Sequence, residues 1–363
     1  MCIRDRDCVR ADRMSCYGYN KNTTPNMSMI STESTIFENA ISSASWSLPS
    51  HASIFTGLYP SEHGATTWDS KMRSDVKTLA EIMSENGYQT VAVCQNDWIS
   101  KQTGLAKGFS QFYDYKQIKA YPILGRYLRS SLAYFPGVSI LTDFSNFILT
   151  EDLTSRSISL CKRIFKENKN NPVFIFLNLL NAHYVYQERL PTKSWKVFFK
   201  REIEFLRRKI KTYEARAYKR LYEYLATKTG FTEDEFKAMN ISYDACINYM
   251  DYHLGELFKF MRNEEIMDRT FLIITSDHGE NFGEHGLANH LFCLYDTLLH
   301  VPLIVKFPRH VSTRKRIPAI VSTIDIFPTL LNILDAKIES KFKVSGVNLF
   351  PIHPHESLVV VFM

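Results

Sequence analysis

The feature that most constrains this chain is a recurrence of short apolar runs separated by stretches with helical spacing. Gln89-Thr-Val-Ala-Val-Cys94, Val173-Phe-Ile-Phe-Leu-Asn-Leu179, Thr270-Phe-Leu-Ile-Ile-Thr275 and Val301-Pro-Leu-Ile-Val-Lys-Phe307 have the length and β-branched content of strands buried on both faces. Between them, residues 76–86, 154–168 and 244–262 carry apolar side chains at helical intervals, and the first stretch stops at Gly87, a residue suited to a helix C-terminus. Strands alternating with helices predict an α/β fold, with a mainly parallel central sheet and helices on both faces. Hydrophobic residues make up 45% and charged residues 23% of the 363, which excludes a disordered or fibrous chain.

No run approaches the roughly 18 apolar residues that cross a bilayer. The nearest, residues 138–149, is interrupted by Asp143 and Asn146 and reads as a buried or substrate-facing segment. Seven cysteines, scattered and without a CxxC pair, read as reduced thiols rather than a disulfide framework. Residues 1–6 resemble the translation of a sequencing-adapter end, and 357–363 read as the start of a strand cut short. The expected catalytic domain is therefore 7–356. With both ends read this way, the compartment stays open between periplasmic or secreted and cytoplasmic.

The net charge of +6 is unevenly spread. Residues 193–220 hold eleven Lys/Arg against three Glu, which leaves the remainder slightly acidic. This segment belongs to an expected helical insertion at about 185–240. It starts at the end of a strand and is expected to form a lid or wall whose cations attract an acidic substrate, or else a solvated amphipathic helix. Aromatics such as Trp195, Phe198 and Phe205 interleave with the charge, but apolar residues at helical spacing favour a packed face over a nucleic-acid surface.

Four fragments carry chemistry. In Ser47-Leu-Pro49-Ser-His51, Pro49 suits a first helical turn and Gly57 followed by Pro60 ends the helix, so Ser47 lies at a helix N-terminus. Free N–H groups and the dipole favour an anion there, and the hydroxyl is either a cap or a nucleophile. Ser276-Asp277-His278-Gly-Glu280, with Glu284, His285 and His290 beyond it, emerges from the strand 270–275 at the carboxyl edge of the sheet. Carboxylate beside imidazole suits a divalent cation, with solvated loop side chains the alternative for Glu280 and Glu284. His183 follows the strand 173–179, and Asp7-Cys-Val-Arg10-Ala-Asp12 places an Asp beside an Arg, ordinarily a surface ion pair.

In their order along the chain, these fragments resemble the sulfatase family of the alkaline-phosphatase superfamily. The likeness runs from Asp7 to about Phe350 and takes in Thr56-Gly-Leu-Tyr-Pro60, Gly87-Tyr-Gln-Thr90, Tyr243-Asp244 and His300-Val-Pro-Leu-Ile304. It implies an alkaline-phosphatase/sulfatase-like fold and one divalent metal ion, commonly calcium, with manganese, magnesium and zinc as alternatives. Asp7, Asp277, His278 and Ser47 would hold that ion. Ser47 would be the nucleophile, His51 would help hold its loop, and His183 and His290 would serve as oxyanion stabiliser and leaving-group acid. His290 stands where many relatives have Lys, and Cys8 stands where many have a second Asp.

Sulfatases mature a Cys or Ser to formylglycine within C/S-x-P-x-R, and His51 replaces that Arg, which counts against formylglycine at Ser47. The expected activity is hydrolysis of sulfate esters through a covalent intermediate at Ser47, on an anionic small-molecule or glycan ester. The alternative is a Ser-nucleophile phosphoesterase or phosphotransferase, because a phosphoserine is readily displaced by water or an alcohol. A non-catalytic binder of anionic glycans is a third reading. Joint retention of Asp7, Ser47, His183, Asp277 and His278 argues against it.

Overall fold

The computed structural model describes residues 8–120, 153–183, 217–290, 293–308, 315–336, 343–350 and 359–362. Asp7, residues 138–149 and all of the basic segment before 217 lie outside them. The strands are β1 (Thr35–Ile41), β2 (Gln89–Cys94), β3 (Gln111–Tyr113), β4 (Val173–Asn178), β5 (Thr270–Thr275), β6 (Asn281–Phe282), β7 (Ala288–Asn289), β8 (His300–Lys306), β9 (Lys315–Ser322) and β10 (Val359–Phe362). The longer helices are α1 (Pro25–Ser31), α2 (Ser47–Thr56), α3 (Leu79–Glu85), α4 (Leu153–Glu167), α5 (Ala217–Thr227), α6 (Glu233–Asn263) and α7 (Ile326–Ile333).

Eight strands form one sheet in the order β3-β2-β4-β10-β5-β8-β1-β9, and β6 with β7 makes a separate two-stranded ribbon. The pairs from β3 to β5 are all parallel, as is β1 with β9. The mainly parallel α/β sheet expected from the apolar runs is thus present. One strand departs from that expectation: β8, the run 301–307, lies antiparallel to both β5 and β1. The chain leaves β5 and re-enters at the same edge of the sheet, Thr275 opposite Leu303. Without a crossover to the far edge, the returning strand must run backwards.

Alternation along the central strands sorts their side chains into two cores. Val91, Val93, Ile175, Leu177, Leu272 and Ile274 face α4 and α6. Ala92, Cys94, Phe174, Phe176, Phe271 and Ile273 face α2, α3 and α7. Helices therefore cover both faces, and the strands read as unbroken hydrophobic runs for that reason. Phe55 of α2 meets Phe176 edge to face, centroids 4.8 Å apart, with both rings fully buried. Burial of each such ring contributes about 1.5–3 kcal/mol, and this contact seats α2 against β4.

Helix α6 begins at Glu233, well before the expected 244. A capping box starts it: Thr232 Oγ1 accepts from the Glu235 N–H at 3.3 Å, and the Glu235 carboxylate accepts from the Thr232 N–H at 2.9 Å. Helix α3 ends as expected, with Gly87 at φ +84° and the Tyr88 N–H closing onto Met83 O at 3.0 Å. Among the described residues, no helix is long and apolar enough to cross a membrane.

Candidate active site

Ser47 is the first residue of α2, after an extended Trp46, and its side chain is fully buried. Two hydroxyls tie this helix start to the end of β5. Ser50 Oγ donates to Asp277 O at 2.7 Å, and Ser42 Oγ donates to the same carbonyl. The Asp277 carboxylate in turn accepts the backbone N–H groups of His278 at 2.8 Å and Cys8 at 3.3 Å through Oδ1. Val9 N–H donates to Ser276 Oγ at 2.8 Å, so the segment after Asp7 is fastened beside β5.

His278 is oriented by its own backbone neighbour. Its Nδ1 lies 2.9 Å from Gly279 O, a contact that places the proton on Nδ1 and the lone pair on Nε2. Nε2 then faces Ser47 Oγ at 3.3 Å, Asp277 Oδ2 at 3.3 Å and Cys8 Sγ at 3.8 Å. Gly279 is obligatory in this arrangement, because a Cβ there would run into Thr297 O and the Arg10 side chain. His51, one turn beyond Ser47, donates from Nδ1 to Ser47 O at 2.9 Å and lies 3.6 Å from Asp277 Oδ2.

His290 completes the cluster. Its Nδ1 lies 3.3 Å from Glu280 Oε1 and 3.7 Å from Cys8 Sγ, and its ring sits 4.5 Å from that of His278 and 4.9 Å from that of His183. The site residues named from the sequence, Ser47, His51, His183, Asp277, His278 and His290, are thus brought together at the carboxyl edge of β4 and β5. All six are buried. Asp7 lies outside the described residues.

Sequence reasoning missed three features of the site. Glu280, weighed as a solvated loop residue, is fully buried against His290. Arg10 and Asp12, read as a surface pair, form a partly interior network. Arg10 is 6% exposed, bonds Asp12 in two places and reaches Glu284 Oε1 at 2.6 Å and Glu280 O at 3.0 Å. Burial disfavours the Arg10 charge, but the Asp12 and Glu284 carboxylates overcome it and its pKa rises. Burial likewise pushes Glu284 up, and Arg10 more than reverses it, so Glu284 is lowered. The third feature is Cys8, with no exposure at all. Its Sγ, His278 and His290 offer three donor atoms within 4.8 Å of one another, a grouping able to hold a metal ion.

The sulfatase family's sequence model matches residues 7–336. The chain belongs to the sulfatase family. Arylsulfatase K of Xenopus laevis is 24% identical over 90% of this chain and 61% of its own length. The N-acetylglucosamine-6-O-sulfatase of Bacteroides thetaiotaomicron is also 24% identical, over 94% of this chain and 68% of its own. This chain therefore spans about three fifths to two thirds of the curated relatives it matches. Among solved structures, the phosphonate monoester hydrolase of Agrobacterium radiobacter superposes with a TM-score of 0.69 at 19% identity, covering 95% of this chain and 75% of that one. That likeness is one of fold.

Proposed function

We propose that this sulfatase-family chain is the catalytic part of a metal-dependent hydrolase of sulfate esters that works through a covalent intermediate at Ser47. One observation carries the reading. The Ser47 hydroxyl sits at the N-terminus of α2, 3.3 Å from an Nε2 whose lone pair is fixed by the Nδ1–Gly279 bond. A helix N-terminus favours an approaching anion, and a tetrahedral sulfate ester is one. The sulfated-sugar relative of Bacteroides thetaiotaomicron supports an anionic sugar ester as the substrate class.

A divalent cation suits the donors. The Asp277 carboxylate and the His278 imidazole converge beside the Ser47 hydroxyl, and Asp7 is the further ligand implied by family resemblance. When bound, such an ion neutralises charge on the ester oxygens and acidifies an oxygen nucleophile. Ser47 gives up its hydroxyl proton to solvent, and its Oγ forms the new bond to sulfur as the bond from sulfur to the alcohol oxygen breaks. The departing oxygen needs a proton, and His290 and His183, whose rings adjoin, are the candidates to deliver it. Attack of water at sulfur then breaks the sulfur–Oγ bond, sulfate leaves and a proton from the water returns to Ser47 Oγ. Asp277 holds the Ser47 segment through its backbone carbonyl, which accepts from Ser50 Oγ, and through its carboxylate, 3.6 Å from His51 Nδ1, so one residue serves both metal and nucleophile.

His51 also favours a second reading. It occupies the Arg position of the maturation pattern and bonds to Ser47 O, which fits an unmodified serine working as a phosphoesterase nucleophile. Mass spectrometry of the Ser47 peptide, with parallel turnover of an aryl sulfate and an aryl phosphate, separates the two. Sulfate turnover is expected. Unmodified Ser47 with phosphate turnover alone would overturn the sulfatase reading.

A further inference from the structure

We propose that Cys8 is itself a metal ligand, and that the cation of this site is a thiophilic one of the zinc class instead of calcium. The inference rests on the metal-dependent reading above and deepens it. Calcium takes six to eight oxygen ligands, whereas the described donors around His278 Nε2 include a thiol and a second imidazole.

The spacing agrees with such an ion. A tetrahedral zinc about 2.3 Å from sulfur and about 2.0–2.1 Å from nitrogen separates those two donors by about 3.6 Å. Cys8 Sγ lies 3.8 Å from His278 Nε2 and 3.7 Å from His290 Nδ1. With His290 on the metal through Nδ1, His183 beside it is left as the proton donor to the departing oxygen. Asp277 Oδ2, 3.3 Å from His278 Nε2, is in position as a fourth donor.

The backbone is arranged to present this sulfur. Cys8 adopts φ +65°, a left-handed conformation that a side-chain-bearing residue rarely takes without support. Support comes from two directions. The Tyr243 hydroxyl donates to Cys8 O and accepts the Arg10 N–H at 2.9 Å, while Asp277 Oδ1 accepts the Cys8 N–H. The other two donors are positioned as well: the His278 ring by Gly279 O, and His290 by Glu280 Oε1, 3.3 Å from its Nδ1, and by its backbone N–H, which donates to Asn289 Oδ1 at 2.7 Å, with Asn289 also left-handed at φ +67°. Donors from three separated segments of chain are thus fixed on one point. Binding exchanges the Cys8 S–H bond for a sulfur–metal bond and releases the proton to solvent.

The test uses the full chain, stripped with a chelator and reloaded with Co2+ as a spectroscopic probe. A near-ultraviolet thiolate-to-cobalt charge-transfer band is expected in the wild-type protein and is lost in Cys8→Ser. Zn2+ affinity, measured by competition against a chromophoric chelator in excess Ca2+, should fall about tenfold or more in that variant, since even outer partners of a metal ligand are worth that much. The wild-type spectrum stands by itself if Cys8→Ser does not fold. Stoichiometric Co2+ binding without the band overturns the role of Cys8 and leaves the metal-dependent reading intact. Absence of stoichiometric Co2+, Zn2+ or Ca2+ binding by the wild-type protein overturns both.

Discussion

At the scale of single residues, the site depends on side chains that fix other side chains. Arg10 is the clearest case, because it ties the segment after Asp7 to the Glu280–Glu284 loop from an interior position. Removing it strands the half-buried Glu284 and leaves Glu280 O without this donor. Arg10→Met should therefore cost about 2–4 kcal/mol, toward the lower end for breaking a buried ion pair because Asp12 is half exposed. Chemical denaturation checks this, and a loss below about 0.5 kcal/mol would mean the network is no more than a surface pair. The residue types of this network were on view in the sequence, but nothing in their spacing showed that Arg10 points inward. Burial of a charge is set by which loops close over it, and Glu284 arrives from the other end of the chain.

At the scale of elements, α2 is the piece on which the site hangs, and its two ends are held differently. Gly57 terminates it at φ +67°, and a Cβ there would meet the Phe327 ring of α7 at 2.8 Å. Gly57→Ala combines left-handed strain with overpacking and should cost about 2–4 kcal/mol, read as a lowered denaturation midpoint. His63 braces the middle of the helix. Its Nε2 contacts Ser53 Oγ at 3.0 Å and its Nδ1 accepts the Ala65 N–H at 3.1 Å, so the buried ring is neutral. Burial lowers its pKa to about 4, against an ordinary value of 6.5. The folded state resists protonation, so this stability is fully present above pH 6.5 and is lost as the pH falls towards 4. The loss is on the order of 3 kcal/mol. His63→Asn, whose amide oxygen can replace Nδ1, should flatten that part of the stability–pH curve. An unchanged slope would contradict the assignment.

The helix itself was legible in advance, from Pro49 near its start and Gly57 at its end. The direction of β8 was not. Its apolar run has the composition of a parallel strand, and only the short return through the ribbon reverses it.

For the whole molecule, the parts read correctly from sequence share one property: they are encoded locally. Buried strands, helix stops and polar clusters at strand ends each fit within a few residues, so the α/β sheet and the emergence of Asp277 and His278 at its carboxyl edge could be anticipated, whereas Ser47 joining them followed only from the family resemblance. Contacts that join distant segments could not, and Cys8 against His290 is of that kind. Charge is distributed on the same large scale, with the surplus concentrated in 193–220. Reversal of Arg207, Arg208 and Lys209 to Glu should lower kcat/KM for an anionic ester at low salt, and the difference should fade as ionic strength rises. Identical salt profiles would make that segment a bystander.

The central claim is that Ser47 carries the covalent step of a sulfate-ester hydrolase. Its most direct measurement is aryl-sulfate turnover by wild type and Ser47→Ala side by side, with circular dichroism to show that both are folded. A loss of about a thousandfold or more is expected in the variant. Turnover at the wild-type rate by a folded Ser47→Ala protein would contradict it.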